Sequence, residues 1–299
     1  MRIVVGGASG FIGVPLVVRL RGAGHHVRVL VRRAERGPDE VRWDPARGVL
    51  EPAALRGVDA VVDLAGVNPG TRPLTAARKH AVLASRVDSA GLLARTIAGL
   101  AADGDGPRVL LQASGIGAYG DRGDTPLDEH EPLGATFFAE VVRQWEDAAT
   151  PARDAGARVV LLRTGVVLGV GGGALRPLWP VLRAGLGGRL GSGRQFWSWI
   201  TLHDELRAIE HLLTADVSGP VNLVARADRN ADVVAALARA LHRPAVVPVP
   251  AFALRLALRD FSSEVLGSVR AVPAALDASG FVADHRDLET AAAWVTRAP

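Results

Sequence analysis

Three glycines at a spacing of three, Gly7, Gly10 and Gly13, stand directly after the apolar run Arg2 to Val5 and lead into Phe11 to Leu20, an apolar segment of helical period. Strand, glycine turn and helix in that order bind phosphate. The first glycine permits a tight turn, the second lets backbone amides approach a pyrophosphate, and the third lets the helix lie close to the strand. The helix N-terminus adds a favourable field for an anion. Gly7-Ala8-Ser9-Gly10-Phe11-Ile12-Gly13 is therefore read as a dinucleotide cradle. Arg32 and Arg33 end the next apolar run, His26 to Val31, at the place where a dinucleotide fold holds the adenosine ribose. An acid there would hold the 2′-hydroxyl of NAD, whereas arginine accommodates the 2′-phosphate of NADP, and no acid occurs before Glu35. The expected cofactor is NADP(H), preferred over NAD(H).

Residues able to move a proton are few. The chain has one tyrosine, Tyr119, and one lysine, Lys79, so a mechanism needing a neighbouring Tyr and Lys must use that pair. With Ser114 they form the candidate catalytic set, and Arg163 and Glu140 are further candidates near the expected nicotinamide. Small residues at the strand end Leu64-Ala65-Gly66 would let a cofactor lie against the backbone. Arg163-Thr164-Gly165-Val166 leaves another strand and is assigned to the same ligand. Arg194, Gln195, Trp197 and Trp199 are the substrate candidates. Three of the six tryptophans lie in or near one stretch, at Trp179, Trp197 and Trp199, where they serve equally well as a ring-binding wall or as core anchors. The eight histidines lack metal-ligand spacing, with no third ligand converging on His203 and His211, so no metal is expected.

Positioning these groups requires alternating elements. Strands are expected at Arg2 to Val5, His26 to Val31, Val41 to Trp43, Ala60 to Leu64, Arg108 to Ala113, Ala157 to Leu162 and Pro220 to Leu223. Helices are expected at Leu74 to Ala101, Thr136 to Arg153, His203 to Leu213 and Ala231 to Leu241. This β-α-β-α alternation argues an α/β fold: a Rossmann-type doubly wound parallel sheet with helices on both faces and ligands at the C-terminal strand ends. Residues 1–168 form the expected NADP-binding domain, to which the chain returns at about 199–242. The glycine-rich residues 169–198 read as a loop region covering a pocket. Residues 243–299 read as a C-terminal cap of short helices without strands.

With 48% hydrophobic and 22% charged residues, the 299-residue chain can bury a substantial core. No apolar run is long enough to span a bilayer, and a chain that opens on a strand and nucleotide turn leaves no room for a signal peptide. Cysteine is absent, which excludes disulfides and thiol catalysis. The net charge is +4, and arginines are scattered among acids, so neither nucleic acid nor membrane is an expected partner. A small-molecule substrate and a cytoplasmic location are expected.

These residues together resemble the extended short-chain dehydrogenase/reductase (SDR) superfamily, and more closely its atypical epimerase-like branch, often labelled YfcH-like, which carries an additional C-terminal domain of unknown function. The resemblance spans almost the whole chain: Gly6 to Gly13, Arg42-Trp43-Asp44, Asn68, Lys79 with Ser85-Arg86-Val87, Tyr119 to Gly123, Trp145-Glu146, Leu162 to Gly169, Gly191 to Gln195, Trp199-Ile200, and Arg243-Pro244 onward. It implies an oxidoreductase or nucleotide-sugar epimerase-like enzyme. In the superfamily a Tyr-x-x-x-Lys pair transfers the proton and a nearby serine orients the carbonyl. Alignment on Glu146 puts Phe138 at that tyrosine and Val142 at that lysine, and neither can titrate. The closest register puts Gly115 on the serine, with Ser114 beside it. An arginine that commonly holds a sugar-nucleotide diphosphate is replaced by Trp197, three residues after Arg194. Two readings follow: an NADP(H)-dependent enzyme that has moved its acid/base group, or a non-catalytic NADP(H)-binding regulator acting through a protein partner.

Overall fold

The computed structural model describes residues 1–297. The N-terminal half alternates β1 (Arg2–Gly6), α1 (Gly13–Gly22), β2 (His26–Val31), β3 (Glu40–Asp44), β4 (Val49–Leu50), β5 (Ala60–Asp63), α2 (Ala76–Ala101), β6 (Val109–Gly115), β7 (Pro126–Leu127), α3 (Phe137–Asp147), α4 (Thr150–Asp154) and β8 (Arg158–Thr164). The remainder contributes β9 (Val166–Leu168), α5 (Leu175–Arg183), β10 (Phe196–Thr201), α6 (Leu202–Leu212), β11 (Gly219–Leu223), β12 (Arg226–Arg229), α7 (Asn230–Ala240), α8 (Ala251–Leu258), α9 (Ser262–Leu266), β13 (Arg270–Ala271), α10 (Ala274–Ala278) and α11 (Leu288–Arg297).

Eight strands form one sheet in the order β11-β8-β6-β5-β1-β2-β3-β4, parallel except for the last pair. The order reverses at β1, which lies between β2 and β5, so the crevice at the C-terminal ends of β1 and β5 is the switch point where doubly wound sheets take ligands. The strands are nearly all apolar because both faces are covered. Alternation then sorts each strand between two cores. Ile3, Val5, Ala60, Val62, Leu111 and Leu162 face α1 and α6, while Val4, Val61, Leu110 and Leu161 face α2 and α4. Threonines start the helices that matter for the site: Thr75, Thr136 and Thr201 accept the amides of Arg78, Ala139 and Asp204, satisfying donors left free by the first turn.

The expected strands and helices of the main sheet are present, with four differences elsewhere. The helix expected from Thr136 to Arg153 is two helices, because Pro151 has no amide to donate and starts a new turn. The aromatic end of the expected loop, Phe196–Thr201, is the middle strand of a second sheet, β12-β10-β9. The expected loop itself contains α5. The C-terminal region, expected to lack strands, adds β13 to β7 in a two-residue pairing too short to leave a pattern. A third core, around Trp199, Val234, Leu237 and Val295, joins α5, α7 and α11.

Candidate active site

At Gly7 the backbone has φ +72°, and a Cβ would lie 2.5 Å from the carbonyl carbon and oxygen of Leu64. Only glycine combines that conformation with that approach. A Cβ at Gly13 would overlap the Gly7 carbonyl, so the start of α1 sits directly on the turn. Gly10 meets only the Gly7 oxygen, at 3.2 Å, and both Ser9 and Gly10 are exposed. The first turn of α1 has no side-chain cap. The cradle is thus closed toward the sheet and open toward solvent, which fits a pyrophosphate on the helix start.

The opposing loop is clamped. Asp63, fully buried at the end of β5, accepts the Ala65 amide at 3.0 Å and the Gln112 side chain at 3.1 Å, and burial raises its carboxyl above the ordinary range. From α2, Ser85 accepts the Val67 amide at 3.0 Å and Arg86 donates to the Val67 carbonyl at 3.0 Å. Arg86 has no acidic partner among the described residues. It stacks 4.9 Å over Trp145, and burial pulls its guanidinium down to about 10. Sequence reading placed Ser85 and Arg86 on a helix, but their hold on Leu64 to Val67 depends on a tertiary contact.

Arg32 and Arg33 both lie at the exposed end of β2, but they are not equivalent. Arg33 forms a forked pair with Glu40 at 2.6 and 2.5 Å, and that hydrogen bond holds Glu40 down to about 2. Arg32 has no ion pair among the described residues. Glu35, the first acid after the strand, accepts the Arg42 amide at 2.8 Å.

The buried catalytic and substrate candidates require correction. Tyr119 is 0% exposed, its hydroxyl donates to Asn222 at 2.8 Å and accepts from Arg163 at 3.1 Å, and burial raises its pKa. It braces the interior and presents no atom to a substrate. Arg163, assigned to the cofactor, is 5% exposed and locked in a bidentate pair with Glu146 at 2.8 Å on both arms. Burial works against its charge, yet the Glu146 hydrogen bonds and attraction hold its pKa raised. Ser114 donates to the same carboxylate at 2.6 Å. Glu129 completes this network by accepting the amides of Asn222 at 2.9 Å and Ala275 at 3.2 Å. Sequence reading missed the roles of Asn222 and Glu129, which no local spacing signals.

Lys79 takes no part in that network: it pairs with Asp260 and lies 5.1 Å over the Phe137 ring. Glu140 pairs with Arg143 on the exposed side of α3. Phe138 and Val142 are buried, Phe138 among Leu74, Val82 and Val141. Trp197 and Trp199, 5% and 0% exposed, are core anchors rather than a ring-binding wall. Their indole N–H groups donate to the Val265 carbonyl at 3.2 Å and to Asp228 at 2.9 Å. Gln195 is likewise buried and donates to the Leu190 carbonyl at 2.9 Å, whereas Arg194 is exposed. Thr164 donates to Glu205 at 2.9 Å.

The expectation that His203 lacks convergent partners also changes: Asp204 and Asp284 lie beside it. Arg207 already supplies a cation there, 2.9 Å from Asp204 and 3.1 Å from Asp284, and Asp204 accepts the amides of Asp284 and His285. The cluster is satisfied as an ion-pair network. Among the described residues no helix is long and apolar enough to cross a membrane.

A parallel sheet with a glycine turn at its switch point and a clamped small-residue loop facing it defines a dinucleotide-binding Rossmann protein of the extended SDR type. The profile of the NAD dependent epimerase/dehydratase family matches residues 3–225, and that of a domain of unknown function matches residues 249–295. The chain belongs to the NAD dependent epimerase/dehydratase family, with this additional C-terminal domain. It is 41% identical over 300 residues to an epimerase family protein of Mycobacterium bovis, spanning 99% of this chain and 98% of the relative. To the epimerase family protein SDR39U1 of Mus musculus it is 36% identical over 298 residues, 97% and 98% of the two chains. Among solved structures it is similar to human epimerase family protein SDR39U1 with NADPH, at 32% identity and a TM-score of 0.89 over 99% of both chains. It is also similar to a nucleoside-diphosphate sugar epimerase from Corynebacterium glutamicum, at 33% identity and a TM-score of 0.79 over 99% of this chain and 58% of that one.

Proposed function

We propose that the protein is an NADP(H)-dependent oxidoreductase or epimerase-like enzyme acting on a small carbonyl or hydroxyl substrate. The observation that carries the cofactor choice is the end of β2. There Arg32 is exposed and unpaired among the described residues, while Glu35 is engaged with the Arg42 amide. A free guanidinium attracts the 2′-phosphate, while the first acid after the strand, Glu35, has one carboxylate oxygen committed to the Arg42 amide. The human relative solved with NADPH supports the same choice, although other fold relatives were solved with NAD. Gly7, Gly10 and Gly13 would hold the pyrophosphate, and the backbone from Leu64 to Val67 would face the nicotinamide half. The bound cofactor would supply or accept hydride.

Thermal unfolding with NADP(H) against NAD(H) tests the reading. A cofactor at a hundred times its dissociation constant stabilises by about 2.7 kcal/mol. Equal shifts would count against the arginine argument, and no shift with either would sink the reading entirely.

The burial of Phe138 and Val142 favours a second reading, a non-catalytic NADP(H)-binding regulator. A protein partner captured in only one redox state of the cofactor would support it, whereas NADPH oxidation by a simple carbonyl compound would exclude it.

A further inference from the structure

The segment from Arg259 to Leu266 packs over the loop that leaves β6. Asp260 pairs with Lys79 of α2, and Phe261 lies edge-on to Phe138 with centroids 5.8 Å apart. Phe261 also covers Gly70, where a Cβ would lie 3.1 Å from its ring. These anchors carry the next turn, α9, against Gly117. A Cβ built on Gly117 would lie 2.6 Å from Glu264 Oε2 and 3.6 Å from Phe138 Cβ. The Glu264 carboxylate therefore stands beside the residue that occupies the superfamily's tyrosine position, on the loop that follows Ser114 at the C-terminal edge of the sheet.

Neither carboxylate oxygen has a hydrogen-bond or ion-pair partner among the described residues, and Glu264 is half-buried. Most ionisable groups on the surrounding elements are engaged, while Arg259 is exposed and has no ion pair among the described residues. Lys79 pairs with Asp260, Glu140 with Arg143, and Glu146 with Arg163 and Ser114, while Asp121 accepts the Gly123 amide. Burial alone pushes the Glu264 carboxyl up to about 7, so both protonation states are accessible near neutrality.

We propose that Glu264, delivered by the C-terminal segment, is the proton donor and acceptor at the substrate oxygen, filling the role for which Phe138 has no titratable group. The assignment rests on the redox reading above. When the cofactor delivers hydride to a carbonyl carbon, the C=O π pair moves to oxygen. That oxygen takes the proton from the Glu264 carboxyl group, leaving an alcohol and a carboxylate. In the oxidative direction the Glu264 carboxylate removes the hydroxyl proton, and the O–H pair forms the new C=O bond as hydride departs to the oxidised cofactor.

The test compares wild type with Glu264→Gln and Glu264→Asp in three measurements: the infrared carboxyl band across about pH 5 to 9, thermal unfolding with NADPH, and NADPH oxidation against a panel of carbonyl compounds. The expected result, read in the wild-type minus Glu264→Gln difference spectrum so that Glu205 cancels, is a protonated-carboxyl band that titrates near neutrality and moves when NADPH binds. NADPH should stabilise all three proteins alike. Turnover of any active carbonyl should fall by about a hundredfold or more in Glu264→Gln and partly recover in Glu264→Asp. A band titrating in the ordinary carboxylate range, a band unmoved by NADPH that does bind, or a Glu264→Gln variant turning over at the wild-type rate would each overturn the assignment while leaving the cofactor reading intact. Wild type that NADPH fails to stabilise would overturn both.

Discussion

The ring of Phe11 fills the space in which a side chain on Gly172 would have to stand, since a Cβ built there would overlap the ring edge. The same ring touches Gly173 and Gly169, where added Cβ atoms would lie 3.1 and 2.9 Å away. The cofactor turn and the glycine-rich excursion are therefore one packed unit. Gly172→Val should lower the unfolding temperature, costing about 1–3 kcal/mol, and weaken NADP(H) binding through displacement of Phe11. Calorimetry with and without cofactor checks both, and Phe11→Ala added to Gly172→Val should restore part of the stability.

The two arginines after β2 should separate experimentally. Arg32→Ala is expected to reduce the preference for NADP(H) over NAD(H) by roughly tenfold, the size of one lost charge-assisted contact. Arg33→Ala should change it little, because the Arg33 fork is committed to Glu40. Dissociation constants for both cofactors measure the contrast, and the reverse ranking would refute the assignment.

Tyr119→Phe removes the only phenol in the chain and leaves Asn222 and Arg163 each short of a partner. The cost should be about 1–3 kcal/mol of stability, with NADP(H) affinity and any turnover preserved in the folded protein. A folded variant that binds cofactor but has lost turnover would restore Tyr119 to the chemistry.

Glu146→Gln should be more damaging, because it strands the buried Arg163 guanidinium. A loss of about 3–5 kcal/mol is expected in urea unfolding. Replacing both residues by apolar groups of similar size should cost less than the single change, since no buried charge is then left uncompensated.

A pH effect should come from Glu205. This residue is fully buried, one carboxylate oxygen has no partner, and burial pushes its pKa up to about 8. Between the unfolded value and about 8 the native protein holds a proton that the unfolded chain releases, so the stability contribution is fully present at low pH and lost as pH rises through that window. Urea midpoints at pH values on either side of the window should show Glu205→Gln gaining on wild type as pH increases. Parallel curves would show that Glu205 does not titrate there.

The sheet was legible in the residues because local patterns suffice for it. The runs around Val4, Val61, Leu110 and Leu161 announce buried strands, and Gly7 and Gly13 announce a close approach that only the strand-turn-helix context needs. What stayed hidden depends on residues far apart in the chain. Nothing near Arg163 says that its partner is Glu146 rather than a cofactor, and nothing near Trp199 decides between a ligand wall and a bond to Asp228. Glu264 lies in a stretch with no motif, and becomes visible only when Phe261 brings it to Gly117.

The pairing of Lys79 with Asp260 gives the molecule a natural reporter. The chain has no thiol and one side-chain amine, and that amine holds the C-terminal segment to α2. Amine-directed acylation can therefore strike one side chain only, besides the N-terminal amine, and it removes the charge paired with Asp260. Because Lys79 is partly exposed, its acylation leaves the Phe261–Phe138 contact in place, and the modified protein shows how much of the hold on the C-terminal segment is ionic and how much is packing.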